Sequence, residues 1–556
     1  MKRDIMDFKN FAMPFSINPE YSKKVAYFSM EFAIDQALKI YSGGLGFLAG
    51  SHMRSAYNLK QDLVGIGILW KFGYYDQARN HDQTLQPTWT KKMYSFLKDT
   101  GIKFQIDIHS APVWVKVWYL DPETFHTAPM FLLSTDVPEN DHVSKTICHR
   151  LYDANESTKL AQYILLGKGG AKLLDMMNLE REVYHLNEAH GLPGAFYLLK
   201  KFGGDFEKVR EKLVCATHTP EEAGNEKHNL HLCHDMSYFS GLTMEEVKAI
   251  EGVEDDRFNR SLCALRMARV ANGVSQLHGV VSREMWSKYS KICEIKAITN
   301  AQEFKYWADK PLYDAKDEND DMLFDFRKKH LKKRMFRIVA DQTGNLFDPN
   351  VFTIVWARRF AGYKRADLLL HDKERFERLL NNPKYPVQII WAGKPYPMDY
   401  SAISTFNTLV EESKYYKNMA VLTGYELALS KSLKQGSDLW LNNPRVPREA
   451  SGTSGMTASM NGSVNLSTDD GWIPEFAKNG VNGFVVPQAD YKNASVYDQD
   501  NFDLENLYNV LENEILPMYY DRPDEWRKIQ HNAMDDVKRH FNSDRMADEY
   551  YKQIYA

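Results

Sequence analysis

Four cations, Arg358, Arg359, Lys364 and Arg365, stand directly behind the apolar run Val351-Phe-Thr-Ile-Val-Trp-Ala357. Positive charge delivered into the turn after a buried strand needs an anionic partner, and the planar fork of arginine suits phosphate oxygens. A solvated helix face is the alternative. Phosphate is the better reading because Arg358 and Arg359 fall in the strand-to-helix turn, where ligands of α/β sheets bind. A second cluster runs from Asn442-Asn-Pro444-Arg-Val-Pro447-Arg-Glu449 into Ser451-Gly452-Thr453-Ser454-Gly455. Prolines stop the strand, and the Ser/Gly/Thr run then opens a helix whose N–H groups and positive dipole end form another anion cradle. Glu449 at its edge can accept hydrogen bonds from sugar hydroxyls. A third cluster, Gly43-Gly44-Leu45-Gly46-Phe-Leu-Ala49-Gly50, contains a Gly-x-Gly-x-x-Ala match. No strand runs directly into it, so it is an incomplete dinucleotide fingerprint. Two readings stand: bare amides for an anion or sugar oxygen, or a tight turn packing a helix on a sheet.

The segment His228-Asn-Leu-His231-Leu-Cys233-His234 has donors on adjacent helical turns, but its charged neighbours Glu226, Lys227 and Asp235 make it an ordinary solvated segment, and no metal is assigned. The five cysteines include no CxxC pair and read as free thiols of a reducing compartment.

The elements that position these clusters are strands alternating with helices. Apolar runs at Lys24–Met30, Asp62–Trp70, Glu182–Asn187 and Leu213–His218 recur in the second half at Val351–Ala357, Val387–Gly393, Met419–Thr423 and Ser437–Asn443. Helical stretches such as Lys159–Gly167 and Gly194–Lys200 separate them, which predicts parallel sheets covered on both faces. At 556 residues the chain exceeds one core, and the charged stretch Asp309–Lys333 places a domain change near residue 300. With 44% hydrophobic residues, 26% charged residues and a net charge of −4, the composition is that of a globular protein and gives no electrostatic reason for nucleic acid or an anionic membrane as partner. A charged start and no run of eighteen apolar residues predict a cytoplasmic protein.

The segments Tyr27-Phe-Ser-Met-Glu-Phe, Tyr41-Ser-Gly-Gly-Leu-Gly, Asp136-Val-Pro-Glu-Asn, His185-Leu-Asn-Glu, Thr217-His-Thr-Pro, Ala357-Arg-Arg-Phe-Ala-Gly-Tyr-Lys-Arg and Glu449-Ala-Ser-Gly-Thr-Ser-Gly-Met occur here in the order of the α-glucan phosphorylases. The chain resembles the short bacterial branch of that family from about Tyr27 to Val486. The resemblance implies an α/β fold of GT-B architecture, with two Rossmann-like domains facing a cleft. It assigns 1–300 to the glucan side, 301–523 to the phosphate side, and 524–556 to a helical segment returning to the first domain. It implies retaining transfer of glucose between an α-1,4-glucan end (glycogen or maltodextrin) and phosphate, with pyridoxal phosphate as cofactor. A homodimer is compatible with it.

Carried over position by position, Arg359 and Lys364 match binders of substrate and cofactor phosphate, and Arg358 stands where a lysine is common. Gly44 and Leu45 match the loop whose amides face the transferred phosphate. His218 and Asn300 match the partners of the glucosyl 6-hydroxyl, and Glu449, Ser451 and Gly452 match those of the 3- and 4-hydroxyls. Thr453, Ser454 and Gly455 match the cofactor-phosphate cradle, with Tyr425 beside it. Arg359, Lys364, Glu449 and His218 are thus the implied catalytic set. Trp472 is the ring expected near the cleft, where it could stack on sugar.

The main departure is Thr457. The family has a lysine there, which binds pyridoxal phosphate as an imine, and a hydroxyl cannot form one. The cofactor is therefore expected to be non-covalent or absent. Three functions follow: a phosphorylase-like enzyme with untethered cofactor, a transferase whose nucleotide sugar fills both phosphate positions, or an inactive glucan-binding relative.

Overall fold

The computed structural model describes residues 7–252 and 254–556. The chain divides into two compact units. One comprises the residues up to Tyr74 with Trp89–Thr299 and Ser543–Ala556, and the other comprises Tyr75–Thr88 with Asn300–Asn542. Residues 524–542 of the expected terminal segment lie in the second unit, and only Ser543–Ala556 belongs to the first.

In the first unit, among the described residues, nine strands form one sheet. They are β1 (Val25–Phe28), β2 (Leu63–Ile68), β3 (Lys98–Ile108), β4 (Ala111–Leu120), β5 (Met130–Ser134), β6 (Val183–Asn187), β7 (Leu213–Ala216), β8 (Val270–Gly273) and β9 (Glu294–Ala297). Their order is β9-β8-β7-β6-β1-β2-β5-β4-β3. The run from β9 to β5 is parallel, and β4 and β3 are added antiparallel at one edge. That edge departs from the expected all-parallel sheet. Along β3 exposed and buried residues alternate, so it lacks the continuous apolar run that marks the buried strands.

Helix α1 (Gly44–Asn58) follows β1 after a long loop. The terminal segment Ser543–Ala556 closes this unit's core. The Tyr555 hydroxyl lies 2.6 Å from His185 Nδ1 on β6, and Asn272 Nδ2 on β8 donates to the Tyr550 hydroxyl at 3.0 Å.

In the second unit, six strands form a wholly parallel sheet among the described residues: β10 (Phe352–Ala357), β11 (Val387–Ala392), β12 (Met419–Leu422), β13 (Leu439–Asn442), β14 (Val464–Ser467) and β15 (Phe484–Val485). The order is β12-β11-β10-β13-β14-β15, which reverses direction between β10 and β13. Alternate residues of β10 feed separate cores. Ile354 and Trp356 pack with Trp391 and Leu441 on one face, and Val355 and Ala357 pack with Ile390 and Trp440 on the other. Two buried faces explain why these strands read as unbroken apolar runs.

Helix α2 (Asp321–Thr343) starts on the Asp320 side chain, which accepts from Leu323 N–H, and ends at Gly344 in the left-handed region at φ 75°. Its buried lysines bind the ends of neighbouring elements. Lys328 Nζ donates to the carbonyls of Gln435, Ser437 and Asn461, and Lys332 Nζ pairs with Asp438 at 2.5 Å. Those carbonyls lie at or just beyond the C-termini of α3 (Leu427–Gly436) and α4 (Ser454–Ser459). Among the described residues no helix is long and apolar enough to cross a membrane.

Candidate functional site

The reversal between β10 and β13 puts the turns after these two strands side by side, the place where open α/β sheets bind ligands. Arg358 leaves β10 there and is buried. Its Nη2 donates to Ser454 Oγ at 3.4 Å, and its Nη1 lies 3.6 Å from Glu449 Oε2, an ion-pair distance too long for a hydrogen bond. Its Nε and Nη1 have no hydrogen-bond partner. Burial lowers its pKa, so the charge is undercompensated by the protein. A buried guanidinium with free donors is suited to an anion.

Lys364, in the next turn, donates to Glu449 Oε2 at 2.5 Å. Burial alone would raise the Glu449 pKa, but Lys364, then Arg358, and also Arg359, outweigh it and hold the carboxyl below its ordinary value. The Glu449 N–H donates to Asp470 Oδ2 at 2.9 Å, and Asp470 also accepts from Gly471 N–H. Burial raises Asp470 well above the usual carboxylate range. Asp470 is a site residue that the motifs do not mark. Its only signal in the sequence is the Asp469-Asp470-Gly471 turn after β14.

The other two arginines after β10, Arg359 and Arg365, separate in role. Arg359 is exposed, and its charge still reaches Glu449. Arg365 is structural: it adopts φ 51°, donates to the carbonyls of Asn443 and Pro444, and pairs with Asp500 and Asp503.

The Ser451–Gly455 turn is shaped by contacts that exclude side chains. Gly452 has φ 83°, and a Cβ on Gly455 would lie 2.5 Å from Asn465 Oδ1 and 3.0 Å from the Trp472 ring. The Ser451 hydroxyl is buried without a partner, as is Asn300 Oδ1 in the same unit. Tyr425 donates its hydroxyl to Ala357 O at 3.1 Å, and burial pushes its pKa up to about 12.

Thr457 sits on the buried side of α4, and its hydroxyl donates back to Ser454 O at 3.0 Å. Trp472 does not present a face for sugar. It is 2% exposed and packed between Phe476 and Phe541, with ring centroids at 4.4 and 5.0 Å. The expectation of a stacking ring is corrected on that ground.

Gly44, Leu45 and His218 belong to the first unit. A Cβ on Gly44 would meet nothing within 4 Å, whereas Cβ atoms on Gly46 and Gly50 would meet Glu31 Oε2 at 2.6 Å and Ala33 O at 2.0 Å. The two readings of this glycine run therefore divide by residue: Gly46 and Gly50 pack α1, and Gly44 opens on space. The Glu31 carboxylate accepts the N–H groups of Ser42 and Gly43 at 2.6 and 3.1 Å.

His218 Nε2 lies 2.8 Å from Asn187 Oδ1, its N–H donates to Glu188 Oε1, and burial lowers its pKa to about 3. Glu188 adopts φ 64°, a strained conformation for a non-glycine residue. The His228-to-His234 residues are scattered: His228 faces Glu156 and Glu226, and Cys233 is buried. Among the described residues no group of three or more His, Cys, Asp or Glu is placed to hold a metal.

Comparison with known proteins gives a family model described as carbohydrate phosphorylase, which matches residues 310–480. An uncharacterized protein of Methanocaldococcus jannaschii is 45% identical over 96% of this chain and 100% of its own length. Maltodextrin phosphorylase of Thermococcus litoralis is 32% identical over 99% of this chain and 73% of its own. Glycogen phosphorylase of Mycobacterium tuberculosis is 30% identical over 96% of this chain and 70% of its own.

Proposed function

The chain belongs to the glucan phosphorylase family, and from that premise we propose that it moves a glucosyl unit, with retention, between the non-reducing end of an α-1,4-glucan and phosphate. The two units, each a largely parallel sheet with helices, are those of the GT-B class in the same proposal. One observation carries the reading. Buried polar atoms without a protein partner fall on Arg358, Ser451 and Asn300, a phosphate position and two sugar positions, all in the second unit. Leaving such groups unpaired costs about 1–3 kcal/mol each, so they are suited to a bound ligand.

In this reading Arg358 and Ser454 hold a phosphate, with Arg359 supplying charge at the solvent side. Lys364 keeps Glu449 ionised, which makes it a strong acceptor for the sugar hydroxyls. Ser451 and Asn300 complete the sugar contacts. His218, neutral at pH 7, acts as a hydrogen-bonding partner of a sugar hydroxyl and does not serve as an acid.

The cradle fits pyridoxal phosphate at its phosphate end, through Arg358, Thr453 and Ser454, and residue 457 supplies no bond to it. When bound, that group supplies a phosphate able to relay a proton to the substrate phosphate.

A second reading, a nucleotide-sugar transferase, is favoured by the Thr457 hydroxyl, which frees the cofactor position for another phosphate. Glucose 1-phosphate, UDP-glucose and ADP-glucose, each offered with maltodextrin, separate the two. Glucan extension from glucose 1-phosphate supports the first. Extension from a nucleotide sugar alone replaces it with the second, and turnover of none leaves a glucan binder.

A further inference from the structure

The C-terminal ends of β1, β6 and β7 lie side by side in the first unit's sheet, with Phe28 in register with Leu186 and Asn187 in register with Ala216. Ser29, Asn187 and His218, which end or follow these strands, are thereby brought together where parallel sheets bind ligands. Asn187 is buried, and its amide spans the other two. Its Nδ2 donates to Ser29 Oγ at 3.1 Å, and its Oδ1 lies 2.8 Å from His218 Nε2. The Ser29 hydroxyl donates in turn to the Glu31 carbonyl at 2.9 Å. That chain has one direction. With its single proton on Glu31, Ser29 Oγ can only accept from Asn187, so the amide nitrogen faces Ser29 and the amide oxygen faces the imidazole. An amide oxygen only accepts, and His218 Nε2 therefore carries the proton.

The next residue holds the other end of the same histidine. Glu188 Oε1 accepts the His218 N–H at 2.6 Å and the Thr219 hydroxyl at 3.3 Å. Consecutive residues of a strand point to opposite faces, and the φ of 64° at Glu188 breaks that alternation, so that Asn187 meets the ring of His218 and Glu188 its backbone. His218 is half-buried, and among the described residues no group hydrogen-bonds to its Nδ1. Burial keeps the ring neutral, so with the proton on Nε2 the other nitrogen bears a lone pair and can only accept.

We propose that Asn187 is a positioning residue that locks His218 in the Nε2–H tautomer, so that Nδ1 meets a sugar hydroxyl as a hydrogen-bond acceptor. The proposal rests on the phosphorylase reading for the identity of the ligand, and it gives that contact a direction. The hydroxyl donates its proton to His218 and keeps its lone pairs for donors elsewhere. The direction sets a preference among sugars. An analogue with fluorine or hydrogen in place of that hydroxyl has no proton to give and leaves Nδ1 unpaired, and sites built around such a bond discriminate strongly against analogues that lack it.

The test is nitrogen NMR on the full chain with isotope-labelled histidine, His218→Gln assigning the ring resonances. The parent is expected to carry the His218 proton on Nε2. Glucose 1-phosphate, added to the saturation found by calorimetry, is expected to move the Nδ1 resonance more than that of Nε2. Asn187→Leu has a similar shape and no acceptor, so both tautomers are expected in it, with kcat/KM for glucosyl transfer about tenfold lower, as loss of one hydrogen bond implies. Asn187→Asp keeps an acceptor oxygen and is expected to retain the proton on Nε2. Melting temperatures report whether the variants fold, and the parent's spectra stand even if they do not. A parent with the proton on Nδ1, an Nδ1 resonance that glucose 1-phosphate leaves unmoved, or an unchanged tautomer in a folded Asn187→Leu overturns the proposal. An Nδ1 response without glucosyl transfer would refute the phosphorylase reading and leave this one standing. Transfer from glucose 1-phosphate by a parent with its proton on Nδ1 would do the reverse.

Discussion

Arg358 and Arg359 are adjacent in sequence and identical in chemistry, yet one is buried with two free nitrogen atoms and the other is exposed. Replacing Arg358 with alanine is expected to weaken binding of glucose 1-phosphate by about 1.5–3 kcal/mol in calorimetry, and replacing Arg359 to weaken it less, because solvent screens its charge. Equal losses would show that exposure does not rank the two. Asp470 offers a pH test. Its folded pKa is raised, so its contribution to stability is complete below the unfolded carboxylate value of about 3.9 and is lost as pH rises above it. Asp470→Asn lacks that loss. Its melting temperature, lower than the parent's at pH 4 because one accepted N–H is forfeited, is expected to close on the parent's by pH 7. A gap that stays constant would mean that the carboxyl is not raised. Arg358, Glu449 and Ser451 stand out in the sequence because charged and small residues behind an apolar strand are placed where α/β sheets bind ligands, and the structure leaves buried polar atoms of Arg358 and Ser451 without a hydrogen-bond partner. Asp470 does not, because Asp469-Asp470-Gly471 reads as an ordinary polar turn and only the fold brings its carboxylate to the Glu449 N–H.

Helix α1 and the loop before it show how one glycine-rich run serves two purposes. Gly46→Ala and Gly50→Ala would each drive a methyl group into fixed atoms, Glu31 Oε2 and the Ala33 carbonyl, at an expected cost of about 1–3 kcal/mol in denaturant unfolding. Gly44→Ala meets no atom and occupies the first helical position, so its stability is expected to hold or rise by up to about 1 kcal/mol. If Gly44 exposes its amide to substrate, glucosyl transfer by that variant falls while its unfolding midpoint does not. A fall in the midpoint instead would return Gly44 to a packing role. The strands that flank these loops were readable because two buried faces leave no polar positions. The antiparallel pair β3 and β4 was not, because alternation of Lys, Asp and Gln with apolar residues interrupts every run, although that period of two is itself a strand signal.

The division into two units was legible near residue 300, where charged helices replace the buried strands, but the membership of short segments was not. Residues 75–88 join the second unit and Ser543–Ala556 the first, because such assignments depend on contacts far apart in sequence. Tyr555 is one of those contacts. Tyr555→Phe leaves His185 Nδ1 without its partner and is expected to lower stability by about 1–3 kcal/mol in thermal or denaturant unfolding, with no effect if the tail is dispensable. The same segment sets the order in which the protein is completed as it is made. Domains usually finish in the order in which they leave the ribosome. Here the second unit has all its residues once Asn542 has emerged, whereas the first, begun earlier, waits for the last stretch of the chain. The half that is translated first is therefore the half that matures last, and a nascent chain stalled before Ser543 would hold all of the second unit and an unfinished first.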